Sequence, residues 1–319
     1  MRYVLRADAS QLVGSGHVMR SSAIAEALIA RGEEVIFVGR ITDMRWVEDR
    51  ITGLGFSEIH KNPNEFVSKA DSDLLLLDSY GISINDPFIA PNRWSHIVAI
   101  VDEQTPNYQC NLRIHPGLDA SWVGKSNIPI LSGPRFIPFR SSLEHMTATT
   151  INNNGILRIA VVAGGSDPFK LVIELANILA GFPEAFEVFL FSNSVHKMVL
   201  DSRFHFIEIG KSLDGLTRNV DLIFTTSSTS SFEFIARGMC VGVACAIDNQ
   251  KQNYSLLGEL EIAAQIGIRN SANEWELNID VIRALVTSPT IRQNLKSNAF
   301  GLIDFSGAKR IVDAIAAIL

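Results

Sequence analysis

The 319-residue chain carries 28 Lys and Arg against 34 Asp and Glu, a formal net charge of −6. It has no basic run of the kind that tracks a phosphate backbone, which argues against a nucleic-acid partner, and no apolar run of the roughly 18 residues a membrane span needs, which argues against stable membrane insertion. Three cysteines, Cys110, Cys240 and Cys245, form no CxxC and read as reduced thiols of a cytoplasmic protein; the apolar strand that begins at Tyr3 leaves no room for a signal peptide.

In chain order, the first half alternates short apolar runs with amphipathic stretches. YVLRAD is followed by a helix from about His17 to Ala30, then EVIFVG, a helix near Asp43 to Leu54, DLLLLD and HIVAIVD. Continuous apolar strands separated by helices are the pattern of a parallel sheet covered on both faces. Residues 146–154 fall in a Ser-, Thr- and Asn-rich stretch without apolar period, which reads as a linker between an N-terminal domain, 1–145, and a C-terminal domain, 155–319. The pattern then begins again with ILRIAVVAGG, FEVFLFS, FHFIEI, DLIFTT and VGVACAI, and ends in helical stretches near Asp280 to Val286 and Ala308 to Ile318, the last of which is free to pack back on the N-terminal domain. The fold class is therefore α/β, with two Rossmann-like doubly wound domains whose carboxyl strand ends face a shared cleft.

Candidate chemistry gathers at those strand ends. After the first strand, Gly14 and Gly16 let the backbone turn and approach a ligand, and they lead into a helix whose unpaired N–H groups suit an anion. The loop lacks GxGxxG, so a dinucleotide site is a weak reading. His17 stands at the helix start, where the positive helix end favours a neutral imidazole, a competent base; a helix-capping role is the plainer alternative. Arg6 and Asp8 are placed to orient His17 or to hold a sugar hydroxyl. Asp78-Ser79-Tyr80-Gly81 and Asp102-Glu103 put further carboxylates at strand ends, where they could bind sugar hydroxyls or assist a base.

In the second half, Gly164-Gly165-Ser166-Asp167-Pro168 precedes a helix that Ser166 or Asp167 can cap with Pro168 in its first turn, and its glycines make room for a phosphate or sugar. The run Thr225 to Ser231, which leads to Phe232 and Glu233, offers hydroxyl and N–H donors to a diphosphate, and Glu233 is placed to accept from ribose hydroxyls; a capping box from Ser230 to Glu233 is the alternative. Asp248-Asn249-Gln250 sets amides at another strand end, where they suit sugar hydroxyls or cap a helix. The histidines show no metal-ligand spacing, so no metal is expected, and no GxSxG, SxxK set or P-loop is present.

Taken together, RADAS and GSGHVMR, DSYG and DE, then GGSDP, SSTSSFE and DNQ resemble the UDP-2,4-diacetamido-2,4,6-trideoxy-β-L-altropyranose hydrolases of pseudaminic acid biosynthesis, over nearly the whole chain. That family is similar in fold to the N-acetylglucosaminyltransferase that makes lipid II, a GT-B type fold. The resemblance implies a metal-independent, cofactor-free inverting hydrolase that takes a UDP-activated acetamido sugar and water. It gives the base role to His17, UDP contacts to Gly165, Ser166, Ser230, Ser231 and Glu233, and sugar or nucleotide contacts to Tyr80 and Asn249, with Gln250 beside it. Ser79 stands where the family often has histidine, which leaves the sugar open. A GT-B glycosyltransferase, an epimerase that eliminates UDP, and a non-catalytic nucleotide-sugar binder share the same donor site and remain alternatives.

Overall fold

In the computed structural model the described residues are 1–11, 13–79, 81–102, 108–121, 127–145, 155–164, 167–192, 200–208, 215 and 217–319. They form two compact units, one of Met1–Ser141 with Asp304–Leu319, the other of Ser142–Ile303.

Unit 1 holds strands β1 (Arg2–Ala7), β2 (Ala9–Ser10), β3 (Glu34–Val38), β4 (Ile41–Thr42), β5 (Glu58–His60), β6 (Asp73–Asp78), β7 (His96–Ile100), β8 (Leu112–His115) and β9 (Ile130–Ser132). Seven of them make a parallel sheet in the order β5-β3-β1-β6-β7-β8-β9, while β2 and β4 pair beside it. The apolar runs have no polar side because both faces are covered: Leu74 and Leu76 of β6 join one core with Leu5, while Leu75 and Leu77 join the other with Val4, Phe66, Phe88 and Trp94. Each such leucine, fully buried, contributes about 1.5–3 kcal/mol of transfer free energy.

Helix α1 (Gly16–Ile29) covers the first of these faces with Val18, Ile24 and Leu28, and α2 (Arg45–Gly53) adds Val47 and Ile51. The sheet's loops part at β1 and β6: β1 leads toward β3 on one side, β6 toward β7 on the other, so their carboxyl ends bound the crevice expected at a topological switch point.

Unit 2 repeats the plan with β10 (Leu157–Val162), β11 (Phe186–Phe191), β12 (Phe204–Ile207), β13 (Leu222–Thr226), β14 (Cys240–Cys245), β15 (Ala264–Arg269) and β16 (Trp275–Leu277). The order is β12-β11-β10-β13-β14-β15-β16, parallel except for β16, and the switch point falls between β10 and β13. Helices α3 (Leu171–Ala180), α4 (Thr229–Ala236), α5 (Lys251–Glu259), α6 (Ile279–Thr287) and α7 (Pro289–Ala299) flank it.

The final helix, α8 (Gly307–Ala316), belongs to unit 1, where Ile311, Val312 and Ile315 enter the core beneath α1. Gly307 makes this possible, since a Cβ there would lie 2.0 Å from the Ile137 carbonyl oxygen. The sequence reading had left this last helix free to pack back on the N-terminal domain, and it left out β2, β4, β5, β8, β9, β15, β16 and α7. Residues 142–145 also fall with unit 2 rather than with the N-terminal domain, and the expected linker, 146–154, lies outside the described residues.

Candidate active site

The residues at the unit 1 switch point form one connected cluster. The chain leaves β1, turns through Gly14, whose φ of +81° is the left-handed conformation glycine tolerates, and enters α1 with Ser15 as the residue before the first turn. His17 is therefore carried by the first turn of α1 beside the end of β6, where Asp78 is the last strand residue. Its Nδ1 lies 2.6 Å from Asp78 Oδ1, and both side chains are buried. One turn further, Arg20 donates through Nε to Asp78 Oδ2 at 2.8 Å and through Nη2 to Oδ1 at 2.7 Å. Its outer edge grips Asp102, with Nη1 2.7 Å from Oδ1 and Nη2 3.0 Å from Oδ2. Ser21 completes the set, its hydroxyl donating to Asp78 Oδ2 at 2.7 Å.

The electrostatics follow from this arrangement. Burial alone would raise the Asp78 pKa, but Arg20 and His17 outweigh it and hold the carboxyl well below the usual carboxylate range. Burial likewise works against the Arg20 charge, and Asp102 and Asp78 more than restore it, so that Arg20 is held above its ordinary value. A carboxylate kept ionised at 2.6 Å from Nδ1 requires a proton on that nitrogen. The neutral imidazole then carries its lone pair on Nε2, and Asp78 stabilises the imidazolium that forms when Nε2 takes a proton. This is the base-and-orienter arrangement of nucleophile-activating sites.

Asp78, one of two strand-end carboxylates noted in the sequence, is thus the orienting group, and of the two roles expected of Arg6 and Asp8 the orienting of His17 is corrected. Arg6 Nη1 donates to Asp8 Oδ1 at 2.6 Å, and the same oxygen accepts from the Arg40 N–H at 2.7 Å, so this pair fastens the ends of β1 and β3 rather than His17. The sequence reading missed Arg20 and Ser21, although both stand three to four residues after His17 on the same helix face. It also set aside His115, which the fold buries at the carboxyl end of β8; burial lowers its pKa, and Asp102 acts in the opposite direction. Tyr80 and Glu103 lie outside the described residues.

At the unit 2 switch point, Gly164 ends the β10 loop with φ +93°, while Gly165 and Ser166 lie outside the described residues. The helix expected to begin at Pro168 begins at Leu171 instead, after Lys170 in the left-handed conformation. Asp167 then caps it across the gap, accepting from the Leu171 N–H at 2.9 Å and the Val172 N–H at 3.1 Å. Those two N–H groups are therefore taken up within the protein by the cap and are not offered to a phosphate.

The hydroxyl-rich loop after β13 divides into an inward and an outward half. Ser227 is buried and turns its hydroxyl toward the Ala244 and Gln250 carbonyls, and Ser231, also buried, donates to the Ser228 carbonyl at 2.7 Å. Ser231 is thus a structural hydroxyl rather than the ligand contact expected of it. Ser228, Thr229 and Ser230 are half-buried at the start of α4, whose first N–H groups have no intrahelical acceptor. The residue before the helix is Ser228, without a side-chain cap, so the Ser230–Glu233 capping box does not form. Glu233 is half-buried one turn into α4. Asn249 is exposed, whereas Gln250 uses its amide oxygen to accept the Ala246 N–H at 2.9 Å and tie down the end of β14. Among the described residues, no three His, Cys, Asp or Glu side chains are grouped as metal ligands, and no helix is long and apolar enough to cross a membrane.

No protein-family model matches the chain, and no curated protein matches it in sequence. Solved structures do. MurG of Acinetobacter baumannii is similar at 13% identity with a TM-score of 0.63, over 99% of this chain and 100% of that one. The spinosyn forosaminyltransferase SpnP is similar at 11% identity with a TM-score of 0.65, over 99% of both chains. The Streptomyces sp. SF2575 glycosyltransferase SsfS6, complexed with thymidine diphosphate, is similar at 12% identity with a TM-score of 0.58, over 98% of this chain and 99% of that one. Such identities speak for the fold, and the fold is the GT-B type: two Rossmann-like, doubly wound α/β units in one chain.

Proposed function

We propose that the protein is a UDP-sugar-processing enzyme in which His17, oriented by Asp78, takes the proton from an oxygen nucleophile as it attacks the anomeric carbon. The observation that carries this reading is the buried 2.6 Å contact between His17 Nδ1 and Asp78 at the switch point of unit 1. UDP needs no strong protein acid to leave, because a terminal phosphate has a second pKa of about 6. In unit 2 the Thr229 and Ser230 N–H groups at the start of α4, with the half-buried hydroxyls of Ser228 to Ser230, suit the diphosphate, and Glu233 suits the ribose. Asn249, and Tyr80, Gly165 and Ser166 by their motifs, complete the proposed contacts, with Gly14 and Gly16 admitting the sugar close to His17. Attack opposite the leaving UDP gives inversion and needs no metal.

Two acceptors are open to such a base. A hydroxyl of a second molecule, which makes the protein a glycosyltransferase, is favoured by the full-length likeness to SpnP and SsfS6. Water is favoured by the motifs shared with the pseudaminic-acid hydrolases, and it would release a free 2,4-diacetamido-2,4,6-trideoxy sugar in the cytoplasm for nonulosonate synthesis. Incubation of the protein, without added metal, with a panel of UDP-N-acetylated sugars, followed by NMR, separates them. UDP with a free sugar of inverted anomeric configuration establishes water; UDP release only on addition of an acceptor alcohol establishes transfer. Calorimetry that finds no UDP binding, or binding unchanged in Glu233→Ala, would refute the donor site.

A further inference from the structure

Asp78 takes four hydrogen bonds: His17 Nδ1 and Arg20 Nη2 on Oδ1, Arg20 Nε and the Ser21 hydroxyl on Oδ2. A carboxylate has about four lone-pair sites, so this one is fully loaded. Half of the load comes from a single side chain, and that side chain is itself clamped on its outer edge by both oxygens of Asp102. The guanidinium is thus held between two carboxylates in the planar, two-point geometry that a lysine ammonium cannot reproduce.

We propose that Arg20, braced by Asp102, is a positioning residue for the base: it fixes the plane and the ionised state of Asp78, and thereby holds His17 in the Nδ1–H tautomer. The alternative tautomer would set two lone pairs against each other across 2.6 Å; Nδ1 could then accept from Arg20 Nη2, but at 3.3 Å, and Asp78 would relieve the repulsion by turning about its own side-chain bond. The two bonds from Arg20 block that rotation. The charges point the same way. Arg20, Asp78 and Asp102 together carry one net negative charge, so the cluster becomes neutral when His17 is protonated, the state reached as the nucleophile is activated. This deepens the reading of His17 as the base and depends on it for its catalytic consequence.

The test begins with the ligand-free, full-length protein, so that it does not depend on the identity of the substrate. Long-range 1H–15N correlation of labelled imidazoles, with His17 assigned by its loss in His17→Gln, reports the tautomer directly. The wild-type neutral ring is expected as a single Nδ1–H form. Arg20→Lys, which keeps the charge and loses the fork, is expected to populate the Nε2–H form, and Asp102→Asn to do so to a smaller extent. Asp102 is 24% exposed, so its variant decides the question if Arg20→Lys does not fold. Wild-type spectra in both variants, or in Asp102→Asn where it alone folds, would overturn the proposal. With a turned-over substrate in hand, Arg20→Lys should lower kcat about 10²-fold, the scale of loss for a misplaced catalytic group, with KM little changed. A raised KM at unchanged kcat would overturn the proposal as well. Absence of turnover by the wild type would count against the proposed reaction and leave the tautomer result standing.

Discussion

Asp78→Asn replaces the orienting carboxylate by a group of the same size, and the hydrogen bonds determine how the amide must sit. With its NH2 in place of Oδ2, the amide would face Arg20 Nε, which cannot accept. With NH2 in place of Oδ1, Arg20 Nε and Ser21 keep an oxygen acceptor, Arg20 Nη2 keeps Asp102 at 3.0 Å, and His17 can satisfy the NH2 by shifting its proton to Nε2. Both arrangements take one acceptor from Arg20, but the first leaves Nε with none, whereas in the second Nη2 retains Asp102 and has His17 Nδ1 3.3 Å away, so the second loses one charge-assisted hydrogen bond, about 1.5–3 kcal/mol of stability. The variant should therefore fold, with its unfolding free energy lowered by about 2–3 kcal/mol in a urea titration. It should also hold His17 in the tautomer that cannot act as the base. Turnover should fall roughly 10²- to 10⁴-fold, the contribution of general-base catalysis, with KM near the wild-type value. UDP release from the substrate identified by the NMR panel provides the assay. Turnover within a few-fold of wild type, in a variant whose stability has dropped as expected, would refute the reasoning that Asp78 sets the tautomer.

His17→Ala should lose a similar roughly 10²- to 10⁴-fold in turnover while retaining UDP affinity by calorimetry, because the imidazole serves the reaction and not the nucleotide. The acid limb of stability should depend on Asp78. Its folded pKa lies below the ordinary value of 3.8, so its contribution is complete above that pH and drains as the pH falls below it. Urea titrations from pH 6 downward should show the wild-type advantage over Asp78→Asn shrinking below about pH 4; a constant gap would exclude the depressed carboxyl as its source. Gly307→Ala should cost roughly 1–3 kcal/mol by forcing α8 away from Ile137, and Gly14→Ala about 1–2 kcal/mol through left-handed backbone strain alone, since nothing lies within 4 Å of its Cβ. Thermal unfolding, read together with proteolysis near residue 137, distinguishes a displaced helix from a strained turn.

The central strands were legible because they are buried on both faces: DLLLLD and the run at Ile159 to Val162 have no polar side to obscure their period. The edges were not. Glu58–His60 is short and half-exposed, Ile130–Ser132 spans three residues, and in β15 the extended pattern is interrupted by Gly267 beside a register shift at Val243 and Ala244. Within the site, His17 stood out because a glycine turn delivers it to a helix start, and Asp78 because it ends an apolar strand. Arg20 gave no local sign of its role, since its partners are 58 and 82 residues away in the chain. Ser231 was misread for a related reason: a polar residue at a strand end serves the backbone or a ligand according to how the next helix begins, and Ser228 before α4 settled that in favour of the backbone, whereas Asp167 was legible as a cap and Lys170 in the left-handed region only moved the helix start.

The return of α8 to unit 1 bears on synthesis. Unit 2 is a contiguous stretch, 142–303, and every residue of its core has been made before Ile311, Val312 and Ile315 are added. Unit 1 is discontinuous, so the half of the molecule that carries His17 is the last to acquire a complete interior on the ribosome. Until then the face of α1 that these three residues cover remains open to solvent and to chaperones. A fragment ending at residue 141 would keep that face exposed, while the 142–303 segment would contain every described residue of its own core.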